Sequence, residues 1–254
     1  MKINQFKRAI KAGQKQVGLW VSNPDPLNTE IVAGAGYDWA VCDMEHAPNS
    51  YAQVGRQLQA FAGSETTPLV RPIWNDPLEV KQLMDLGAPG IIFPMVQSVN
   101  EAEAAVASTQ YPPKGIRGSA GVVRASNYGR DSDYKKSVEA ETAIILQIES
   151  ASALQQAQEI SDVEGVDGIF FGPADISADM GYGGDPSEAE VWKAVMPIAK
   201  ALIARGVPVG TLTLNPQQAK LLLAEGFTFV ACGLDTALLA QSADALLANI
   251  KGGS

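Results

Sequence analysis

Eight short apolar runs, each bounded by turn residues and separated by longer stretches of helical period, recur along the whole chain. They are Gln16 to Ser22, Trp39 to Met44, Thr67 to Pro72, Gly90 to Val96, Thr142 to Ile148, Gly168 to Gly172, Val207 to Thr213 and Thr228 to Gly233. Strict alternation of strand with helix requires parallel strands joined by crossover helices. Eight such units in 254 residues match a closed (β/α)8 TIM barrel, one domain over residues 1–254. An open doubly wound sheet is the structural rival, but no strand here leads into a Gly-x-Gly-x-x-Gly turn.

Boundary signals agree with this division. Asn49 precedes a helix ending near Ala62, Asp76-Pro77 opens one ending at Gly87, and Asn215-Pro216 opens one ending at Gly226. Between Tyr111 and Tyr134, Pro112-Pro113, Gly115, Gly118, Gly121 and Gly129 break the pattern, and loops of that length in compact domains are usually functional. The last helix, Thr236 to Ile250, carries Leu238, Leu239, Ala243, Leu246, Leu247 and Ile250 at helical spacing. Such a stripe covers the chain's own barrel or packs on another subunit.

Composition narrows the partners. Lys and Arg number 19 against 28 Asp and Glu, a net charge of −9, which repels phosphate backbones and anionic lipid heads. Nucleic-acid and membrane-surface binding are therefore not expected. No apolar run approaches the roughly 18 residues that cross a bilayer, and the first residues lack a signal-peptide apolar stretch, so a cytoplasmic location is expected. Cys42 and Cys232 lie inside apolar runs, where reduced thiols serve as small hydrophobes.

Barrel strands are buried on both faces, so an ionisable residue in or just after one needs a partner, a metal or a chemical task. Active sites of this fold gather at the C-terminal strand ends. Strand two ends in Asp43-Met44-Glu45-His46 with the only histidine, strand three in Val70-Arg71-Pro72, strand five in Gln147-Ile148-Glu149, and strand six in Gly172-Pro173-Ala174-Asp175. Taken singly each has a bland reading: a structural histidine, an arginine balancing a carboxylate, an aspartate capping a helix. Their convergence on one rim is what points to chemistry.

Glu149 and Asp175, on adjacent strands, could supply two hard oxygen ligands to a divalent cation with positions left for water and substrate. Arg71 suits a carboxylate or a developing enolate oxygen, and His46 is the natural proton-transfer group. No lysine falls in any of the eight runs, which disfavours Schiff-base chemistry. The exits of strands seven and eight, with Leu212, Leu214 and Asp235, are too apolar and acidic for a phosphate. The substrate is expected to be small and to present carboxylate or carbonyl oxygens.

On these residues the chain resembles the HpcH/HpaI family of metal-dependent class II pyruvate aldolases, in its 4-hydroxy-2-oxoheptane-1,7-dioate aldolase branch. The likeness runs through Gly18-Leu19-Trp20, Asp43 to Asn49, Val70-Arg71-Pro72 with Trp74-Asn75-Asp76-Pro77, Tyr111-Pro112-Pro113, Gly115-Ile116-Arg117-Gly118, Gln147-Ile148-Glu149, and Glu164 to Gly168 running on to Gly172-Pro173-Ala174-Asp175. The resemblance implies Mg, Mn or Co held by Glu149 and Asp175, and pyruvate or hydroxypyruvate chelating through keto and carboxylate oxygens. It implies Arg71 at the enolate oxygen and His46 handling protons, with Asp43 and Asp85 as its partners. It implies backbone N–H groups around Gly172, Pro173, Ala174 and Asp175 at the substrate carboxylate, with Gln147 nearby, and Trp20 and Leu212 shaping the aldehyde pocket. It also implies a homo-oligomer, a hexamer, with the final helix exchanged between subunits. Met44 departs from the family's Asp-Gly-Glu-His.

The sequence thus predicts a cytoplasmic catabolic lyase that forms and cleaves 4-hydroxy-2-oxo acids from a 2-oxo acid and an aldehyde. The rivals are a lyase or mutase of the related phosphoenolpyruvate-utilising barrels and a catalytically inactive binding barrel.

Overall fold

The computed structural model describes residues 2–252. Its eight strands are β1 (Gln16–Val21), β2 (Trp39–Asp43), β3 (Thr67–Arg71), β4 (Gly90–Phe93), β5 (Ala143–Ile148), β6 (Gly168–Phe171), β7 (Val209–Thr213) and β8 (Phe229–Leu234). They are parallel and close in sequential order, β8 pairing with β1, which is the expected barrel. The helices are α1 (Gln5–Lys11), α2 (Pro26–Ala33), α3 (Tyr51–Ala60), α4 (Pro77–Leu86), α5 (Val99–Thr109), α6 (Tyr134–Glu141), α7 (Ala151–Ser161), α8 (Pro173–Asp179), α9 (Ala189–Ala204), α10 (Pro216–Ala224) and α11 (Asp235–Lys251).

Local chemistry sets these boundaries. Ser50, one residue after the expected Asn49, starts α3 through a capping box with Gln53, while Asp76 and Asn215 cap α4 and α10 ahead of a first-turn proline. β4 is shorter than the apolar run predicts: it stops at Phe93 because Pro94 cannot donate to a ladder and Met95 turns to φ +51°.

Inside the barrel, large side chains fit against glycines. A methyl group at Gly18 would overlap the Trp39 ring, and one at Gly210 would overlap Phe229. Helix α1 closes the end where the strands begin. Its Phe6 ring centroid lies 5.3 Å from Trp39 and 5.4 Å from Phe229, and removing bulk of that size from a packed core costs about 3–5 kcal/mol. Lys7 Nζ donates to Thr142 O at 2.6 Å and pairs with Asp167 at 3.0 Å, fixing the plug to the barrel floor.

Two segments leave this frame. The stretch after α5 is pinned to the outer helices at the ends remote from the barrel mouth. There Arg117, 1% exposed, donates to Asp85 at 2.8 Å and stacks 4.6 Å from the Tyr111 ring, while Arg124 donates to Leu86 O and Leu58 O. Helix α11 is held only at its start. The Asp235 carboxylate accepts N–H donors from Ser22, Asn23 and Thr236 and the Asn28 amide. Leu238, Leu239, Leu246, Leu247 and Ile250 are all exposed, so this stripe does not cover the chain's own barrel.

Candidate active site

At the C-terminal strand ends lies a pocket of about 500 Å³ lined by Trp20, Asp43, His46, Arg71, Gln147, Glu149, Phe170, Gly172 to Asp175, Leu212 and Leu234, among others. A hollow of about 1100 Å³ at the opposite end is bordered by Gln5, Arg8, Gln16, Tyr37 and Asp38 and brings together none of these groups. The chemistry, rather than the size, marks the smaller one.

The register of β2 against β3 sets Asp43 beside Arg71, and the two form a bidentate pair with Nε to Oδ1 at 2.8 Å and Nη2 to Oδ2 at 2.9 Å. Arg71 Nη1 lies 2.8 Å from Glu45 Oε2, and the guanidinium carbon sits 5.0 Å from the Trp20 ring centroid. Two of the five guanidinium N–H groups are bonded to Asp43, while Glu45 Oε2 accepts no hydrogen bond, which leaves three N–H groups for a ligand. Burial works against the charge of Arg71, but its hydrogen bonds to Asp43 and the charges of Asp43, Glu45 and Glu149 raise its pKa above the ordinary value.

Glu149, 2% exposed, accepts the Met95 N–H on Oε2 at 2.7 Å and Gln147 Nε2 on Oε1 at 3.0 Å. Burial first, then the charges of Glu45 and Asp175 over the opposing pulls of Met95 N–H and Arg71, push its carboxyl up to about 8. Glu45 is raised as well, by burial against the pull of Arg71 and His46. A methyl group at Gly172 would come within 2.5 Å of Glu149 Oε1, so only glycine leaves that carboxylate its place. Asp175 stands half-buried in the first turn of α8, a helix with no side-chain cap, so the capping alternative falls away.

Four carboxylates, Asp43, Glu45, Glu149 and Asp175, therefore share one neighbourhood with a single permanent cation, Arg71. That imbalance fits a divalent cation, which would relieve the raised carboxyls. Among the described residues no group of three or more His, Cys, Asp or Glu has metal-holding geometry. Two carboxylates completed by water and substrate oxygens suit a hard cation of the Mg²⁺ kind.

His46 opens to solvent at the rim, its Nε2 3.9 Å from Glu45 Oε2, beyond hydrogen-bond reach. Trp20 and Gln147 are both buried in the lining and each carries an unpartnered polar atom there, Nε1 and Oε1. Leu212 stands with Leu214, Leu234, Phe170 and Pro186 on the apolar side. Asp85 is not gathered with the others: it lies near the C-terminus of α4, paired to Arg117, in an outer groove with Tyr51 and Arg56, so within this chain it does not partner His46. A helix returning from the mouth carries its last residues to the far end of the barrel.

Glu45 is the acidic residue the sequence reading left without a role, although period-two placement after Asp43 was the available signal. Ser22, Ser187 and Gln218 also line the pocket and carried no signal. Met44 is 4% exposed, packs in the layer between strands and helices, and donates its N–H to Arg71 O at 2.9 Å. It has no positive φ, so nothing in the backbone demands the family's glycine here.

The sequence matches the HpcH/HpaI aldolase/citrate lyase family over residues 16–242. It is 47% identical to the 4-hydroxy-2-oxo-heptane-1,7-dioate aldolase of Escherichia coli over 96% of this chain and 94% of that protein. The fold superimposes on an HpcH/HpaI aldolase/citrate lyase family protein from Burkholderia cenocepacia J2315 with a TM-score of 0.94 at 33% identity, covering 98% of this chain and 100% of the other. An HpcH/HpaI aldolase from Desulfitobacterium hafniense DCB-2 superimposes with a TM-score of 0.88 at 27% identity, covering 98% and 97%.

Proposed function

The chain belongs to the HpcH/HpaI aldolase/citrate lyase family, and from that premise we propose that it is a class II aldolase joining pyruvate or hydroxypyruvate to an aldehyde and cleaving the resulting 4-hydroxy-2-oxo acid. The carrying observation is the set of four carboxylates around one buried arginine at the barrel mouth. Family membership implies a divalent metal cation. Mg, Mn and Co all suit the oxygen donors of Glu149 and Asp175, and the bound cation would act as a Lewis acid on the 2-oxo acid's oxygens.

The remaining work falls to side chains. Arg71, held by its bidentate bond to Asp43, presents its spare N–H groups where the enolate oxygen gains negative charge, with no reorganisation when the reaction occurs. Backbone N–H groups at the start of α8, from Ala174 and Asp175, receive the substrate carboxylate, favoured by the helix dipole. Gln147 fixes Glu149 with its amide N–H, and its unpartnered carbonyl accepts from the hydroxyl of hydroxypyruvate. His46 at the rim takes and returns the proton of the aldol hydroxyl. Trp20, Leu212 and their apolar neighbours enclose the aldehyde.

The exposed stripe of α11 supports exchange of this helix between subunits of a homo-oligomer, a hexamer in this reading. Leu27 and Ile31 on α2, which packs beside β1, are equally exposed. Among the described residues no helix is long and apolar enough to cross a membrane, and a cytoplasmic catabolic setting belongs to the same proposal.

The test is pyruvate α-proton exchange and aldol cleavage, followed together before and after chelation. Chelator should abolish both, and Mg, Mn or Co should restore both. Turnover by a verified metal-free sample would refute the mechanism.

A further inference from the structure

Strand β4 alone sends no side chain into the pocket, yet the second residue beyond it, Met95, makes the shortest hydrogen bond on Glu149. We propose that Met95 is a positioning residue, whose left-handed backbone lets a main-chain N–H fix the Glu149 carboxylate for cation binding. The inference rests on the reading of Glu149 as a cation ligand.

Among the described residues only three without glycine's freedom have positive φ: Met95, Asn127 and Tyr128. The latter two sit in the outer loop after Arg124. Met95 sits at the mouth, with φ +51°, in a region that long L side chains avoid. What this conformation achieves is visible in its bonds. Met95 N–H reaches Glu149 Oε2 at 2.7 Å, and the next amide, Val96 N–H, reaches Gln147 O at 3.1 Å. In extended backbone two consecutive N–H groups point to opposite sides. Here both converge on the C-terminal end of β5, one on the Gln147 main chain and one on the Glu149 carboxylate just past the strand.

The contact completes a three-sided grip. Gln147 Nε2 holds the other oxygen, and Gly172 leaves no Cβ to crowd it. Each carboxylate oxygen thus has one lone pair occupied by a fixed donor, and the carboxylate cannot swing between rotamers. An outlying conformation maintained at the one place where it touches a candidate ligand is how strain is retained at functional sites.

The test is direct titration of metal-free protein with Mn²⁺, without substrate, in three variants. Met95→Gly adopts left-handed backbone freely and should keep wild-type affinity within about threefold. Met95→Val places a β-branched residue where it is least tolerated and should lower affinity about 10- to 100-fold, the range typical of lost outer contacts to a metal ligand. If the valine variant fails to fold, an amide-to-ester replacement at Met95, which removes only the N–H, decides the matter and should lower affinity about tenfold or more. A general loss of packing would lower the melting temperature without this pattern in affinity. Wild-type affinity in the ester variant, or equal losses in the glycine and valine variants, would overturn the clamp alone. Absence of Mn²⁺ binding in the wild-type protein would overturn the cation reading and the clamp with it.

Discussion

Loss of the Arg71 side chain should damage stability and chemistry by separable amounts. The guanidinium is 7% exposed and faces Asp43, 1% exposed, and Glu45 at 2.8–2.9 Å. In Arg71→Ala the buried Asp43 and the half-buried Glu45 lose their counter-charge, and stranding charge in this way costs about 3–5 kcal/mol. At about 2–4 °C per kcal/mol for a chain of this length, the melting temperature should fall by roughly 6–20 °C. The loss should depend on pH. Glu45 is already raised by burial, and without Arg71 its carboxyl rises further above the unfolded value. A group raised in the folded state stabilises below its unfolded pKa and loses that contribution as pH climbs through the folded one. The deficit should therefore be smallest near pH 4.5 and grow as pH rises above it.

Turnover, measured well below the melting transition, should fall about 10²- to 10³-fold, the cost of losing a preorganised donor at a developing oxyanion. Arg71→Lys keeps the charge but cannot form the bidentate bond or stack on Trp20, so it should recover part of the melting temperature and little of the rate. Bound metal should not fall in either variant, because neither residue is a proposed ligand and the alanine change removes a competing positive charge from beside Glu149. The assays are thermal melts across pH, pyruvate α-proton exchange and metal analysis on the same samples. A lysine variant exchanging protons at more than half the wild-type rate would show that charge alone suffices, and a pH-independent deficit would refute the account of Glu45.

Gly172→Ala should fold but weaken Mn²⁺ binding by about tenfold or more, because the new methyl would sit 2.5 Å from Glu149 Oε1; unchanged titration would mean that the carboxylate has slack. With Glu149 raised to about 8 in the metal-free protein, its burial penalty grows from pH 4.5 upward, so added Mg²⁺ should raise the melting temperature more at pH 8.5 than at pH 6; calorimetry in buffers of different ionisation heat should also detect proton release on binding near pH 7. Leu212→Ala should alter the choice among aldehydes far more than pyruvate affinity, and equal effects on both would remove Leu212 from the acceptor side. No lysine lines the pocket, so borohydride with pyruvate should trap no adduct, as mass spectrometry of the treated chain would establish.

The barrel was legible because its strands are buried on both faces and read as apolar runs, and because Asp76-Pro77 and Asn215-Pro216 announce helices through local hydrogen bonds. The carboxylates and Arg71 were legible for a related reason: a charge at the end of an apolar run is costly unless something uses it. Asp85 was harder. Its acid group follows no strand, and its partner Arg117 lies 32 residues away in a loop whose path no periodicity describes. The stripe on α11 is visible in sequence, but period alone records that a face is apolar and not which surface receives it.

Met95 marks the deeper limit. A methionine beyond a strand carries no sign that its backbone will be left-handed, since glycine and asparagine are the residues that announce such turns. The conformation is imposed from outside, by the demand of Glu149 for a donor and of Gln147 O for the next amide. Main-chain groups are the same at every position, so a site that recruits them leaves its trace only in the residues they serve. The lone acid at the end of β5 therefore predicts a donor nearby without saying which. The parallel pairing of β4 with β5, which brings the exit of β4 against Glu149, is what selects Met95 from all the amides the chain could have offered.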